Sequence, residues 1–416
     1  MPLEALIFRH FPAKIAMVPS EYRLPDPVQR DLEAEALLAL GRLDGALRAA
    51  RPATLRLFAL RLLRDLLVAV LRQEGHAFTD HRFHAWFAGV ATLSDLPPRL
   101  GRPPRVLCEA VLTELTHSSW EVLAELAARF QAALLAPGDH IGNDLAAQTA
   151  HQDAHSIVIA ARDLISELEP TPLPLPALER LHCAVGEHVL FAPPERAPEP
   201  IAMGSIRLTV ERAGTPSPHW ALEMLWGEHW HSAGLMAHAL PFPGLIRLDA
   251  LRTDTPSHPW EPDEAPTIVA TALRDVAQGL CSNLTAADQL ARRLEDSQPG
   301  KRRSSRAPAL LELLAGFGPM RSAQIEALLG ATRLGVRTML DALDRIGMLE
   351  RTTIAGVHLY AVNLEARVAE DANDLAVSST FSSAALGEYE AAMADIDALL
   401  VRSGVSLDEA DWEDEP

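Results

Sequence analysis

From residue 27 to about residue 168, apolar side chains return every three or four positions, the period of a helix buried along one side. Val28–Arg48 and Thr54–Gln73 carry that pattern longest, while Arg82–Leu93, Val106–Leu115 and Ser119–Leu135 repeat it in shorter runs. Ile141–Leu168 fits either one long helix or two. Amphipathic helices with short connections pack as a bundle, so residues 1–168 are expected to form an N-terminal helical domain. Proline then becomes dense between 169 and 200 (EPTPLPLPALE, later APPERAPEP), removing the N–H donors that helix interiors and central strands need. That stretch reads as a linker around a short helix near Leu178–Val185. A central, mostly helical region follows over 201–300. In it Ile206–Glu211 alternates like a strand, 219–251 is rich in aromatics, and Thr267–Asp296 is helical.

The sharpest local pattern lies in 301–363. Leu310, Leu313, Leu314 and Phe317 share one helix face, and Pro308 stands near the start, where a missing N–H costs little. Ser322 is expected to cap a second helix bearing Ile325, Leu328 and Leu329. Gly330 suits a positive φ, and Thr332 should cap a third helix that turns Val336, Met339, Leu340 and Leu343 inward and stops at Gly347. MLERT and VHLYAV then alternate on either side of an Ala355–Gly356 turn, as a hairpin does. Three short helices and a hairpin are the plan of a winged helix-turn-helix. The expected fold class is therefore mainly α: an N-terminal helical bundle, the Pro-rich linker, a second helical region, the winged module, and an acidic tail over 364–416.

What the third helix leaves outside points to chemistry. Leu334, Arg337 and Thr338 lie off the apolar stripe with Arg333 at its edge, and Thr332 precedes them. They sit at the N-terminal end, which a recognition helix presents to the major groove. Arginine there can bond guanine O6 and N7 together, or neutralise phosphates. Arg351 and His358 in the hairpin are placed to meet the flanking backbone, and Lys301, Arg302, Arg303 and Arg306 form a basic arm for phosphates or the minor groove. The alternative is a generic helical subdomain, or a module that contacts proteins.

Charge changes the picture. The chain carries −19 overall, yet 301–360 holds nine Lys/Arg against five Asp/Glu, and 361–416 holds two against fourteen. A basic island in an acidic protein is the footprint of a nucleic-acid surface, here double-stranded DNA. One copy neutralising about four to six phosphates would bind weakly, so a homodimer is expected, its recognition helices about one turn of DNA apart. The tail, with an expected helix at Glu388–Arg402, ends in DEADWEDEP, which should be solvated and could compete with DNA for the basic face.

Composition excludes more than it identifies. Apolar residues are 48% and charged residues 22%, ordinary for a globular protein. The three cysteines are scattered without a Cys-x-x-Cys, which argues against a disulfide framework or zinc ribbon. With no signal-peptide pattern and no run near the ~18–20 apolar residues of a spanning helix, a cytoplasmic protein without membrane contact is expected. Histidines gather at His76, His81 and His84, at His151 and His155, and at His219, His229, His231 and His238 among Trp220, Trp226 and Trp230. Imidazoles one turn apart can share a metal, but no recognised ligand spacing occurs, so neither metal nor cofactor is expected. His151 and His155 read as an exposed helix face, and the Trp–His stretch as core packing or a pocket wall. Gly-x-Gly-x-x-Gly, Walker A, His-Glu-x-x-His and Gly-x-Ser-x-Gly motifs are absent, so no enzyme is expected, and no motif supports a small-molecule effector.

GKRRSSRAPALLELLAGFGPMRSAQIEALLGATRLGVRTMLDAL and ERTTIAGVHLYAV together resemble the C-terminal helix-turn-helix of an alphaproteobacterial, often plasmid-borne family that joins the helical domain of unknown function DUF1612 to a DNA-binding domain. The shared features are the arginine/serine arm, the Pro-Ala-Leu opening of the first helix and a hairpin ending in an aromatic. Upstream, HRFHAWFAGVATLSDLPPRL is similar to part of that helical region, and faintly to Fic-type AMP-transferases. The Fic catalytic loop, His-Pro-Phe…Gly-Asn-Gly-Arg, is missing, so that likeness implies no activity. What the family likeness implies is a DNA-binding half.

Overall fold

The computed structural model describes residues 27–95, 101–137, 144–169, 171–193, 199–203, 206–210, 216–248, 250–251, 265–296 and 306–364. Among these the chain is mainly helical. The N-terminal helices are α1 (Pro27–Ala49), α2 (Pro52–Gln73), α3 (Asp80–Phe87), α4 (Pro104–Leu115), α5 (Glu121–Ala133) and α6 (Asp144–Glu167). They follow the apolar periodicity closely. Within the 141–168 stretch, Asp144–Glu167 forms one helix, and α3 is shorter than expected because Gly89 leaves the helical region at φ +72°. α7 (Pro174–Glu187) is longer than the expected Leu178–Val185, since a proline in the first turn removes no intrahelical bond. Its Leu175, Leu178, Leu181 and Val185 are buried. The Ile206–Glu211 expectation is met by β2 (Ile206–Val210), antiparallel to β1 (Glu199–Met203). The partner strand went unforeseen because it contains Pro200.

α8 (Trp220–Ser232) and α9 (Ala265–Asp296) complete the body. On α9, Leu273, Ala277, Leu280, Leu284, Ala287, Ala291 and Leu294 are buried at alternating four- and three-residue steps, the spacing of a seam between long helices. Ion pairs and hydrogen bonds fix its neighbours' directions. Glu35 meets Arg274 at 3.2 Å and Arg51 meets Glu295 at 2.7 Å, so α1 runs parallel to α9. Thr54 bonds Asp288 at 2.9 Å and Asp65 bonds Asn283 at 3.0 Å, so α2 runs antiparallel to it. α2 is the central strut, touching α4, α5, α8, α9 and also α10 (Ala307–Gly316).

α10 opens the last group of elements, followed by α11 (Ser322–Leu329), α12 (Arg333–Asp344), β3 (Leu349–Ile354) and β4 (Val357–Val362). β3 and β4 pair antiparallel, Ile354 facing Val357 across the Ala355–Gly356 turn as the alternation predicts. Met320, between α10 and α11, adds a further bridge: its N–H donates to Tyr360 O at 3.1 Å and its carbonyl accepts from Tyr360 N at 2.8 Å. One large hydrophobic core includes residues from Ala36 in α1 to Met348 before β3. Phe317 is its aromatic hub, 4.3 Å from Phe130 and 5.1 Å from Phe87 between ring centroids. Gly316 permits the approach of α10, because a Cβ there would lie 2.7 Å from that of Leu60. No helix among the described residues is long and apolar enough to cross a membrane. The expected helix at Glu388–Arg402 and the terminal acidic run lie outside the described residues.

Candidate nucleic-acid interface

α11 and α12 meet at a tight corner that local chemistry explains. Gly330 takes φ +56° and ends α11, its N–H reaching Glu326 O. Thr332 then caps α12, its hydroxyl accepting from Gly335 N at 3.2 Å. Ser322 does not cap α11 as expected; Arg321 holds that position and Ser322 is the first helical residue. The side chain that satisfies the open end is Gln324, whose Oε1 accepts from Arg321 N at 3.1 Å. Its amide is spoken for elsewhere, donating to Phe87 O and Ala133 O, both at 3.1 Å, with the residue 1% exposed. The Arg321 guanidinium adds a bond to Ala88 O at 3.3 Å. α11 is thus tied to the ends of α3 and α5.

On α12, Val336, Leu340 and Leu343 are buried and Met339 is half-buried, while Thr332, Arg333, Leu334, Arg337 and Thr338 are exposed. The helix ends at Asp344, three residues before the expected stop at Gly347, which takes φ +67°. Leu334 is 74% exposed, high for a large apolar side chain. Arg333 and Arg337 make no ion pair among the described residues. The carboxylates of α12, Asp341 and Asp344, fall in its second half. This order opposes the helix dipole, whose positive end is the N-terminus. The Thr338 hydroxyl is bonded to Leu334 O at 2.9 Å and so is already committed as a donor.

The hairpin packs on both faces, Leu349, Tyr360 and Val362 against the main core and Leu359 against a smaller cluster. Leu359 is buried beside Ala85 of α3 and Ala88 just after it, with Ile354 packed against the same cluster. Arg351, Thr353 and His358 lie on the opposite face and are exposed, His358 Nδ1 meeting Thr353 Oγ1 at 2.8 Å. Arg306 is exposed but turned onto the end of α11, donating to Leu329 O at 3.2 Å and Gly330 O at 3.1 Å. A cation there caps the carbonyl end of that helix. Lys301, Arg302 and Arg303 lie outside the described residues. Residues 306–364 hold six arginines against five carboxylates, and one of those, Glu312, is paired with Arg56 at 2.9 Å. The charge signal on the described elements therefore comes from segregation rather than from net excess.

The histidines resolve differently. His219 is buried between Ser217 Oγ and Phe191 O, both at 2.6 Å, and Trp220, Trp226 and Trp230 are fully buried in the core. His151 and His155 are exposed on α6. No cluster able to hold a metal occurs among the described residues. Sequence reasoning missed Gln324, because its partners are carbonyls far away in the chain. Neither the protein-family models nor the curated proteins with which the chain was compared give a match.

Proposed function

We propose that this protein binds double-stranded DNA sequence-specifically. In this reading α10, α11, α12 and the β3–β4 hairpin act as a winged helix-turn-helix within a dimeric transcriptional regulator or plasmid-maintenance factor. The observation that carries the reading is the outer N-terminal half of α12: two arginines free of carboxylate partners among the described residues, flanking an exposed leucine. Arg333 and Arg337 would reach base edges or phosphates, and Leu334 a thymine methyl group. Arg351 and His358 would contact the backbone beside the groove, and the 301–303 arm would add phosphate contacts. The likeness of about sixty residues, 300–362, to a helix-turn-helix family supports the same reading.

The test is recovery and sequencing of genomic fragments bound by the full chain, which should yield one palindromic site. On that site, Arg337→Ala should weaken binding by about 1–3 kcal/mol and relax specificity at one base pair. Equal weakening on cognate and random duplexes would reassign Arg337 to phosphate. A second reading draws on Leu334, whose exposure equally suits an adaptor that docks proteins. Absence of any enriched fragment would favour it.

A further inference from the structure

α4, α6 and α8 leave between them a cleft of about 1020 Å³. That is the top of the range of about 300–1,000 Å³ usual for small-molecule sites. Its floor is apolar: Val106 and Val158 are each 2% exposed, Ile165 and Leu225 each 8%. Three carboxylates, Glu109, Glu114 and Glu228, stand around that floor. Glu109 meets Arg105 at 2.8 Å and His151 at 2.6 Å, and Glu114 is paired with Arg162. Glu228 differs. It accepts from Ser119 N at 2.7 Å and Ser119 Oγ at 2.6 Å, and has no cationic partner among the described residues. It is held rigidly in place while its charge stays unmatched.

His229 lines one further wall. It is half-buried and stacked on Trp226, with ring centroids 4.7 Å apart and planes at 23°. Burial, with Arg180 nearby, lowers its pKa and so favours the neutral ring. An apolar floor and an anchored, unmatched carboxylate are what a cation on an apolar body requires. An anion of the same shape would meet the unmatched Glu228 carboxylate beside low-dielectric walls.

We propose that the cleft between α4, α6 and α8 binds an amphipathic organic cation, an ammonium or iminium charge carried on an apolar or aromatic body. The apolar body lies on Val106, Val158 and Leu225, and the charge lies toward Glu228. The site stands on the cleft alone and does not depend on the DNA-binding reading.

The test compares two tricyclic xanthene dyes of opposite charge, cationic pyronin Y and anionic fluorescein, by fluorescence anisotropy with the full chain in the absence of DNA. Pyronin Y should bind saturably and fluorescein should not. Glu228→Gln, which keeps an acceptor for Ser119, should weaken pyronin Y about tenfold, the worth of one partly desolvated charge contact. Ala110→Trp, at a half-exposed lining position, should fill the cleft and abolish binding, with far-ultraviolet circular dichroism unchanged in both variants. Failure of pyronin Y to saturate, equal affinity for the two dyes, or indifference to both substitutions would overturn the proposal.

Discussion

Ala355 carries a cost that its neighbours do not. It takes φ +48° with Gly356 at +77°, the geometry of a two-residue turn whose twist matches the strands on either side. Glycine takes that region freely, but an alanine Cβ crowds its own backbone there. Ala355→Asn, whose side chain tolerates the left-handed region, should raise stability to urea by about 0.5–1 kcal/mol. An unchanged midpoint would mean that the turn relaxes in solution. The position of this turn was legible from the Ala-Gly pair, and Gly330 and Thr332 were legible for the same reason: their partners lie within a few residues. Arg321 and Gln324 were not, because what fixes them are Phe87, Ala88 and Ala133.

Among elements, α12 sets stability against its proposed role in DNA binding. No acidic residue lies in its first turn and no basic one in its last. Each misplaced charge costs about 0.3–1 kcal/mol against the dipole. Arg333→Glu should therefore hold or slightly raise the melting temperature while removing DNA binding, read by thermal scanning and gel mobility side by side. A fall in both would make Arg333 a structural residue. Helix periodicity was legible wherever one apolar stripe faced one core, as in α1, α2 and α9. It was less legible at α7 and β1, where prolines disguise elements whose burial or pairing comes from elsewhere.

For the whole molecule, two buried groups set opposing pH dependences. Burial pushes the Glu223 carboxyl up to about 7, though Gln73 at 2.7 Å and Ile246 N at 3.0 Å bond it. Raised above its unfolded value, it stabilises fully below about pH 4.5, and that contribution is lost as pH rises through 7. Burial, with Arg64 nearby, pushes His84 down to about 4, so its contribution is present above about pH 6.5 and lost as pH falls through 4. Between pH 4.5 and 6.5 the two slopes oppose each other. Glu223→Gln should expose the histidine limb: relative to the native chain, the variant should lose about 2 kcal/mol on going from pH 6.5 to 4.5, measured by urea unfolding. Parallel curves would place Glu223 in water. Neither group was legible in the sequence, nor was the cleft, because α4, α6 and α8 meet only after folding.

The anchoring of α11 has a last consequence. Phe317 is wedged among Phe83, Phe87 and Phe130, and Gln324 closes the ends of α3 and α5. Excised at residue 306, the last three helices and their hairpin would be an orphan half: a greasy flank without its mate, and a buried amide with no carbonyls to answer it. Whatever α12 touches, it meets as the fixed prow of a larger hull, and its bearing changes only when the hull turns.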